Sequence, residues 1–516
     1  MPSLASLPNI LSLLKRHLPR IAITGLALPL IVLPAYARAP LVNLGNATAA
    51  GEDASTAIFD NLSHNIFDIS PLGSLYSLLS PFPSWSNHLT LLGAMGGLRT
   101  QMAKIGLVLA VQETSELFGN ISGGFRRGAA YDGMTTAVLQ LNTQRAFGWS
   151  GGTFQVSMEQ IHGRNLSADN LGVYQTISGI EADRSTRLWE LWFDQKFLPH
   201  HTLDIKIGQQ SLDQEWMISN NALLFANTMF GWPMLPSADL PGGGPASPLA
   251  SLGGRARYHV VKPLYIQAGI FSGSPAYART GDAQKSNRSG TSFVLNRGIF
   301  AIAELQYARG ELKHIASPEE ATTLPYVYRL GGWYDSEPFA DQYGDEHGIA
   351  LSSPQSTGRA RLHRGAFSLY AVMDQTLWHS HHNLSRALAL FARVMGTPQS
   401  DRVPIDFSMN AGLTLKAPLP AHPYDVLGLG MGYTHTSHSL AQYDRAVQTH
   451  TNRYSPAQGS ETFMELMYLG QMTGWLQLQP DFQYIFNPSG GIPNPLHPTR
   501  RIKNIAVFGL RANITL

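Results

Sequence analysis

From about residue 105 to its last leucine, this chain of 516 residues keeps returning to one pattern, in which apolar and polar residues alternate one by one. In an extended strand successive side chains point to opposite faces, so each such segment has one apolar and one wet face. Phe154, Val156 and Met158 alternate with Gln155, Ser157 and Glu159. Leu203, Ile205 and Ile207 stand against Asp204, Lys206 and Gly208, and Ala256, Tyr258 and Val260 against Arg255, Arg257 and His259. Leu427, Leu429, Met431 and Tyr433 alternate with Gly428, Gly430 and Gly432.

Strand length decides what the alternation means. A strand in a sandwich averages about 5 to 6 residues, whereas one crossing a bilayer needs about 9 to 11. Strands are expected near 105–118, 131–144, 152–161, 187–198, 201–210, 254–261, 263–272 and 298–309. Eight more are expected near 325–336, 364–375, 386–395, 405–416, 425–436, 460–470, 474–486 and 502–516. Several have the longer length, and a total of about sixteen is an even number suited to a closed barrel. The fold class is therefore all-β, a closed antiparallel transmembrane β-barrel of about sixteen strands with a short N-terminal helical or plug segment. The last strand runs to Leu516, which suits a strand that must close the wall, because an unpaired edge in lipid is costly.

Such barrels join strands by short periplasmic turns and longer external loops in alternation. The gaps after the first, third, fifth, seventh, ninth and thirteenth strands are long, and those at Pro199-His200, Lys262 and Gln471 to Thr473 are short. Residues 310–324 are long for a turn, and 396–404 short for an external loop. The longest connection, 211–253, carries Phe230-Gly231-Trp232-Pro233 and Pro241-Gly242-Gly243-Gly244-Pro245. Long connections in compact domains are usually functional. This one either folds inward to narrow the channel or packs outside on its neighbours.

Composition removes several other classes. Charged residues are 14% of the chain, aromatics 10%, and mean hydropathy is -0.08, which excludes a disordered polyelectrolyte. With 37 Lys plus Arg against 35 Asp plus Glu there is no basic excess for nucleic acid. Cysteine is absent, so no disulfide, thiolate metal site or Cys nucleophile exists. Lys15, Arg16 and Arg20 precede an apolar stretch from Ile21 to Leu33, then Ala35-Tyr36-Ala37. This reads as a signal peptide, 1–37, cleaved after Ala37, the stretch being short for a membrane anchor. Removal of three cations and no acids takes the formal charge from +2 to about -1. A leader, 38–90, follows and reads as poorly structured or plug-like, and 91–516 forms the barrel domain, beginning with a helical pattern from Leu91 to Lys104.

Several stretches together resemble the OprB-type carbohydrate-selective porins of Gram-negative outer membranes. They include Gly96-Gly97-Leu98-Arg99, Ser122-Gly123-Gly124-Phe125-Arg126-Arg127-Gly128, Gly151-Gly152-Thr153-Phe154 and Ile161-His162-Gly163-Arg164. Glu181-Ala182-Asp183-Arg184, Leu188-Trp189-Glu190-Leu191-Trp192, Gly208-Gln209-Gln210, Phe230 to Pro233 and Leu235 to Pro241 follow. Phe391-Ala392-Arg393-Val394, Leu427-Gly428-Leu429-Gly430 and Leu478 to Tyr484 complete the set, which covers about Leu91 to Leu516. The chain departs from outer-membrane barrels in ending on Leu516 where they usually end in Phe. The resemblance implies a sixteen-stranded barrel passing monosaccharides such as glucose down their gradient, without catalysis or cofactor. The implied partners are small neutral sugars, outer-membrane lipid and the barrel-assembly machinery, with a homotrimer or a monomer as the assembly and no nucleic acid.

A sugar carries hydroxyls all round and a flat apolar face, so a selective pore needs charged hydrogen-bonding groups and an aromatic platform. With Trp189, Leu191 and Phe193 expected to face lipid, Glu190, Trp192 and Asp194 face inward. The same parity turns Glu159, Arg255, Arg257, Glu304, Trp333 and Glu465 into the lumen. Charges there either bind hydroxyls or form ion-pair ladders that stiffen the wall, and the two tryptophans either stack on sugar or pack the wall. Trp149, Trp378 and Trp475 fall near strand ends, where an interfacial aromatic girdle belongs. His379, His381 and His382 sit in an expected turn without a carboxylate, and no metal site is read from them. Gly428, Gly430 and Gly432 alternate within a strand and leave room in the lumen rather than form a phosphate loop. The competing readings are a general, polyol or sugar-acid porin, an outer-membrane barrel hydrolase, for which no strand-borne Ser/His arrangement is evident, and a purely structural or adhesive barrel.

Overall fold

The computed structural model describes residues 89–198, 202–261, 263–277, 281–309, 324–380 and 386–516. The signal segment 1–37, nearly all of the 38–90 leader, most of 310–324, and His381 and His382 lie outside these residues. The strands are β1 (Leu107–Ser122), β2 (Gly128–Asn142), β3 (Gly152–Gly163), β4 (Ser185–Phe197), β5 (Leu203–Gln210) and β6 (Ser251–Val261). They continue as β7 (Leu264–Ser272), β8 (Ile299–Arg309), β9 (Tyr326–Asp345), β10 (Ala360–His379), β11 (Ala387–Gly396) and β12 (Ile405–Lys416). Then come β13 (Val426–Thr436), β14 (Ser460–Gln471) and β15 (Leu476–Phe486), the short pair β16 (Pro493–Asn494) and β17 (His497–Arg501), and β18 (Ile505–Thr515).

Apart from β16 and β17, which pair only with each other, these strands form one closed antiparallel barrel of sixteen. β18 closes it, lying between β15 and β1, with Leu510 opposite Leu117 and Ile514 opposite Glu113. The seam is pinned at its foot. Leu91 N–H donates to Thr515 O at 2.8 Å and Leu516 N–H to Val111 O at 2.9 Å. Arg99, on the helix Leu98–Lys104, donates to the Leu516 carbonyl, to Thr90 Oγ1 at 2.6 Å and to Gly93 O at 2.8 Å. The helical pattern read at 91–104 thus forms a clasp across the closing strands.

The alternation is realised as two faces. Ile205, Ile207, Tyr258, Val260, Ile270, Leu330, Leu429 and Leu466 are exposed on the outside, an apolar wall suited to hydrocarbon. Trp149 and Trp378 are exposed and Trp475 half-buried at the end that carries the short turns. Tyr307, Tyr326 and Tyr328 stack there with ring centroids 5.8 and 5.0 Å apart. Two connections differ most from the sequence reading. The gap expected at 119–130 shrinks to residues 123–127, because β1 and β2 continue their pairing to Asn120 and Gly128. β9 and β10 run to Asp345 and from Ala360, so their hairpin projects at the loop end. Trp189 also departs from expectation. Ser157 pairs with Glu190 and Met158 with Leu188, so Trp189 is the extra residue of a β-bulge, and its indole is buried instead of facing lipid.

A barrel of this size is too wide for wall side chains alone to fill. Two loops do it. Residues 170–181 of the loop after β3 are all buried, as is nearly all of 211–250 after β5. They bond to one another through Thr228 N to Thr176 O at 3.1 Å and Gly179 N to Ala226 O at 3.1 Å. Phe225, Phe230 and Trp232 join wall residues Phe391 and Phe463 in one apolar core. The space that Gly428 and Gly430 leave in β13 is taken by these rings: a Cβ at 430 would stand 2.5 Å from Phe230 and one at 428 would stand 2.7 Å from Phe225. Overpacking of this kind costs about 1–3 kcal/mol. Gly430→Val is expected to leave the barrel closed but push the loop off β13, giving a lower melting temperature and a larger single-channel conductance. Unchanged values of both would contradict the packing described.

Candidate functional site

The inner wall carries charge of both signs, and the register sets it in rows. Asp194, Lys206 and Arg255 are cross-strand neighbours, and beside them lie Lys196, Asp204, Arg257, Gln267 and Glu304. From the loop, Glu215 enters this array. It pairs with Lys206, with Arg255 Nε at 2.9 Å and with Arg257 Nη2 at 3.5 Å, while Arg255 also pairs with Asp204 and lies 4.0 Å from Asp194. Burial works against the charge of Glu215, yet Lys206 and Arg257 hold its carboxyl below the ordinary range. Lys206 Nζ sits 4.6 Å above the Trp192 ring, a cation–π contact. Arg329 continues the array around the wall, 3.9 Å from Glu304 and 3.5 Å from Asp374. Trp192, Arg257 and Arg329 are largely covered but not sealed from the lumen: the side chains of Arg257 and Arg329 are 12% and 10% exposed.

A second group of inner-wall charges serves as hooks for the loops. Glu304 accepts from Met217 N at 3.1 Å, Gln267 Nε2 at 3.1 Å and Tyr370 OH at 2.9 Å. Asp374 accepts from Ser219 Oγ at 2.6 Å, Asn221 Nδ2 at 2.9 Å and Asn220 N at 3.3 Å. Glu465 takes Ala226 N at 2.6 Å and Asn227 N at 3.0 Å. Glu190 takes Ser211 N and Gln155 Nε2, both at 3.0 Å, and Glu159 takes Ser247 Oγ at 3.0 Å. In the opposite sense, Arg393 donates to the carbonyls of Met217 at 2.7 Å, Gly231 at 2.9 Å and Met229, and Arg511 to Ala226 O at 3.3 Å. Leaving β5, the loop 211–250 therefore meets β8, β10, β11, β14 and β18 before returning to β3 and β6, so it crosses the lumen.

The residues singled out from parity all lie on the inner side of the wall, in three environments. Trp192, Asp194, Arg255 and Arg257 belong to the charged array with Glu215. Glu159, Glu190, Glu304 and Glu465 are buried and hold loop atoms. Trp333 is buried beside Phe300, ring centroids 6.0 Å apart, within the apolar core. Sequence reasoning passed over Glu215, Arg329, Asp374, Arg393 and Arg511. Parity alone would have found the four on strands, and Lys206 stood on the polar face already recognised. Glu215 belongs to a loop and has no periodic signal. Among the described residues, no group of three or more His, Asp or Glu is arranged to hold a metal ion.

Two outcomes follow from the hooks. A hydrogen bond to a charged acceptor contributes about 1.5–3 kcal/mol, and a buried amide stripped of its acceptor costs about as much again. Asp374→Ala is expected to free the Ser219–Asn221 segment and raise single-channel conductance, read in planar bilayers. The second concerns the loop after β3, whose two limbs Glu181 ties together by accepting from Ser167 N at 3.0 Å. Burial pushes its carboxyl up from 4.5 to about 8. A raised carboxylate stabilises the docked loop most at low pH, and that stability is lost as pH climbs from about 4.5 through 8. Proteolysis or hydrogen exchange of residues 164–184 should accelerate across that window, and Glu181→Gln should reduce the dependence, the remainder coming from Glu461, which holds Tyr174 N and Gln175 N.

Comparison with known proteins agrees with this architecture. The family described as "Carbohydrate-selective porin, OprB family" matches residues 126–516. Porin B of Pseudomonas aeruginosa is 27% identical over 433 residues, covering 80% of this chain and 88% of that protein. A protein described as "Putative porin QuiX" from Acinetobacter baylyi is 22% identical over 458 residues, covering 81% and 93%. Among solved structures, the high-pH structure of Pseudomonas putida OprB superposes with a TM-score of 0.71 at 23% identity, covering 83% of this chain and 98% of that one. The closed sixteen-stranded wall, its apolar outer face and its charged interior with inward-folded loops are those of a solute channel, and the chain belongs to the OprB family of carbohydrate-selective porins, sugar-selective channels of the outer membrane.

Proposed function

We propose that the channel passes glucose-like monosaccharides passively into the periplasm, and that they are selected where the loop 211–250 meets the array on β4–β9. The observation that carries this reading is the opposed set of charges around Glu215, with Arg257 and Arg329 at its edge, largely buried but not sealed, and Trp192 beside Lys206. Charged groups of both signs bind hydroxyls through charge-assisted hydrogen bonds and give no net preference for an ion, and an indole offers a flat apolar face. In this reading Trp192 and Arg257 meet the sugar, with Glu215 and Arg329 opposite, and the buried Asp194 and Arg255 set their positions from behind. Glu159, Glu190, Glu304 and Glu465 act through the loops they hold, and Trp333 through packing. No catalytic step and no cofactor is assigned. Export with cleavage after Ala37 and insertion by the barrel-assembly machinery complete the proposal.

Planar-bilayer recording with titrated sugar tests it. Glucose should block the current saturably, more strongly than gluconate or glycerol. Arg257→Ala should weaken the block about tenfold, the effect of roughly 1.4 kcal/mol of binding. Open current without block by any of the three would leave a general porin. Preferential block by gluconate or glycerol would move the selectivity to acids or polyols.

A further inference from the structure

The longer loops project at the end of the barrel opposite the short turns, the end that faces outside the cell. Near the closing strands this rim is basic. Arg126 and Arg127 form the tip of the β1–β2 loop, Arg164 follows β3, and Arg500, Arg501 and Lys503 lie at and just beyond the end of β17, ahead of β18. All six are exposed. Backbone contacts gather them on one stretch of rim. Phe125 N donates to Asn170 O at 2.7 Å, Gly124 N to Lys503 O at 3.4 Å, and Asn494 Nδ2 to Gly124 O at 3.5 Å. The β1–β2 loop is therefore wedged between the loop after β3 and the segment that leads into β18.

The chain as a whole is balanced, with 37 Lys plus Arg against 35 Asp plus Glu, but the countercharge lies elsewhere. No Asp or Glu occurs from Leu117 to Tyr131 or from Phe482 to Leu516. Among the described residues, one ion pair involves these six cations, Arg164 with Asp169 at 3.0 Å, and both of its partners are exposed. Below the cations the outer wall is apolar, with Leu117 and Ile121 of β1 and Phe508 and Leu510 of β18 exposed. A polar cluster further along β1–β3 is paired within itself. Glu113 accepts from Ser115 Oγ at 3.0 Å and stands 3.6 Å from His162 Nε2, while Tyr131 OH bridges Ser115 Oγ at 3.0 Å and His162 Nε2 at 3.1 Å. Unpaired charge on this face is thus concentrated at its outer end.

We propose that the rim at Arg126, Arg127, Arg164, Arg500, Arg501 and Lys503 binds the phosphorylated sugar headgroup of an outer-leaflet glycolipid, whose acyl chains lie along β1 and β18. Guanidinium forks match phosphate oxygens bidentately, and clustered cations beside a membrane draw anionic lipid. An amphiphile satisfies both parts of the surface at once. A soluble anion would leave the apolar wall unused, and an uncharged lipid would leave the cations unpaired. The site lies on the outer rim and off the array around Glu215, so it rests on the outer-membrane location of the channel and not on its choice of sugar.

The full chain, folded in an uncharged detergent, is titrated with fluorescent bisphosphorylated lipid A, the same lipid after removal of its phosphates, phosphatidylglycerol and inorganic phosphate. Bisphosphorylated lipid A should bind saturably, and more weakly as salt is raised. Arg126→Gln with Arg127→Gln, and separately Arg500→Gln with Arg501→Gln, should each weaken that binding about tenfold. Arg359→Gln with Arg361→Gln, exposed where β10 begins, should leave it unchanged. Equal binding of the dephosphorylated lipid, or undiminished binding by the fourfold variant, overturns the proposal. Displacement by inorganic phosphate as effective as by the lipid also overturns it, making this a site for soluble anions, and equal affinity for phosphatidylglycerol makes it an unselective basic surface. Single-channel conductance and glucose block of the same variants should match the unsubstituted chain. Absence of glucose block in all of them, with lipid binding intact, would count against the sugar reading and leave this site standing.

Discussion

In hydrocarbon no water is available to pair backbone N–H and C=O groups, so a wall of strands must close on itself. The rest of this molecule depends on that requirement. β18 meets β1 along ten residue pairs, and the Leu98–Lys104 helix clasps the seam through Arg99. Closure with sixteen strands then creates an interior too wide for wall side chains, and the chain answers by folding the loops after β3 and β5 into it.

A loop brought indoors carries its own backbone polar groups, which must be satisfied there too. This explains why so many inner-wall carboxylates and guanidinium groups point at amides and carbonyls rather than at open space. Glu465 receives two consecutive amides, Asp374 the Ser219–Asn221 segment, and Arg393 gathers three carbonyls. Charge is used in two ways on one wall: mutually paired around Glu215 where the face stays half-open, and paired with loop backbone where it is sealed. The apolar rings of Phe225 and Phe230 against Gly428 and Gly430 add the packing that makes the loop's position unique.

The outer wall follows the opposite chemistry, and the polar cluster on β1–β3 stands out against it. Parity would have allowed leucine at 113 and 162 at no cost to pairing in the barrel. Glu113, Tyr131 and His162 instead satisfy one another, through Ser115, over a floor that includes Gly133.

Much of the architecture was legible from the sequence because period-2 alternation is a local property. It gave the sixteen strands, the apolar exterior, the girdle tryptophans and the inward parity of Glu159, Glu190, Glu304 and Glu465. It failed at Trp189, where one inserted residue in β4 shifts the parity and only the partner strand reveals it. Which inward charges stay open and which hold the loops was decided by tertiary structure, since Glu215 reaches Arg255 and Arg257, and Glu465 reaches Ala226, across tens to hundreds of residues. The sequence determined a membrane barrel with a charged lumen, because facing is set by the residue two positions away. The path of the loop 211–250, and with it the shape of the lumen, was set by the closed wall, because its hydrogen-bond partners become neighbours only when β5 and β14 stand across one barrel.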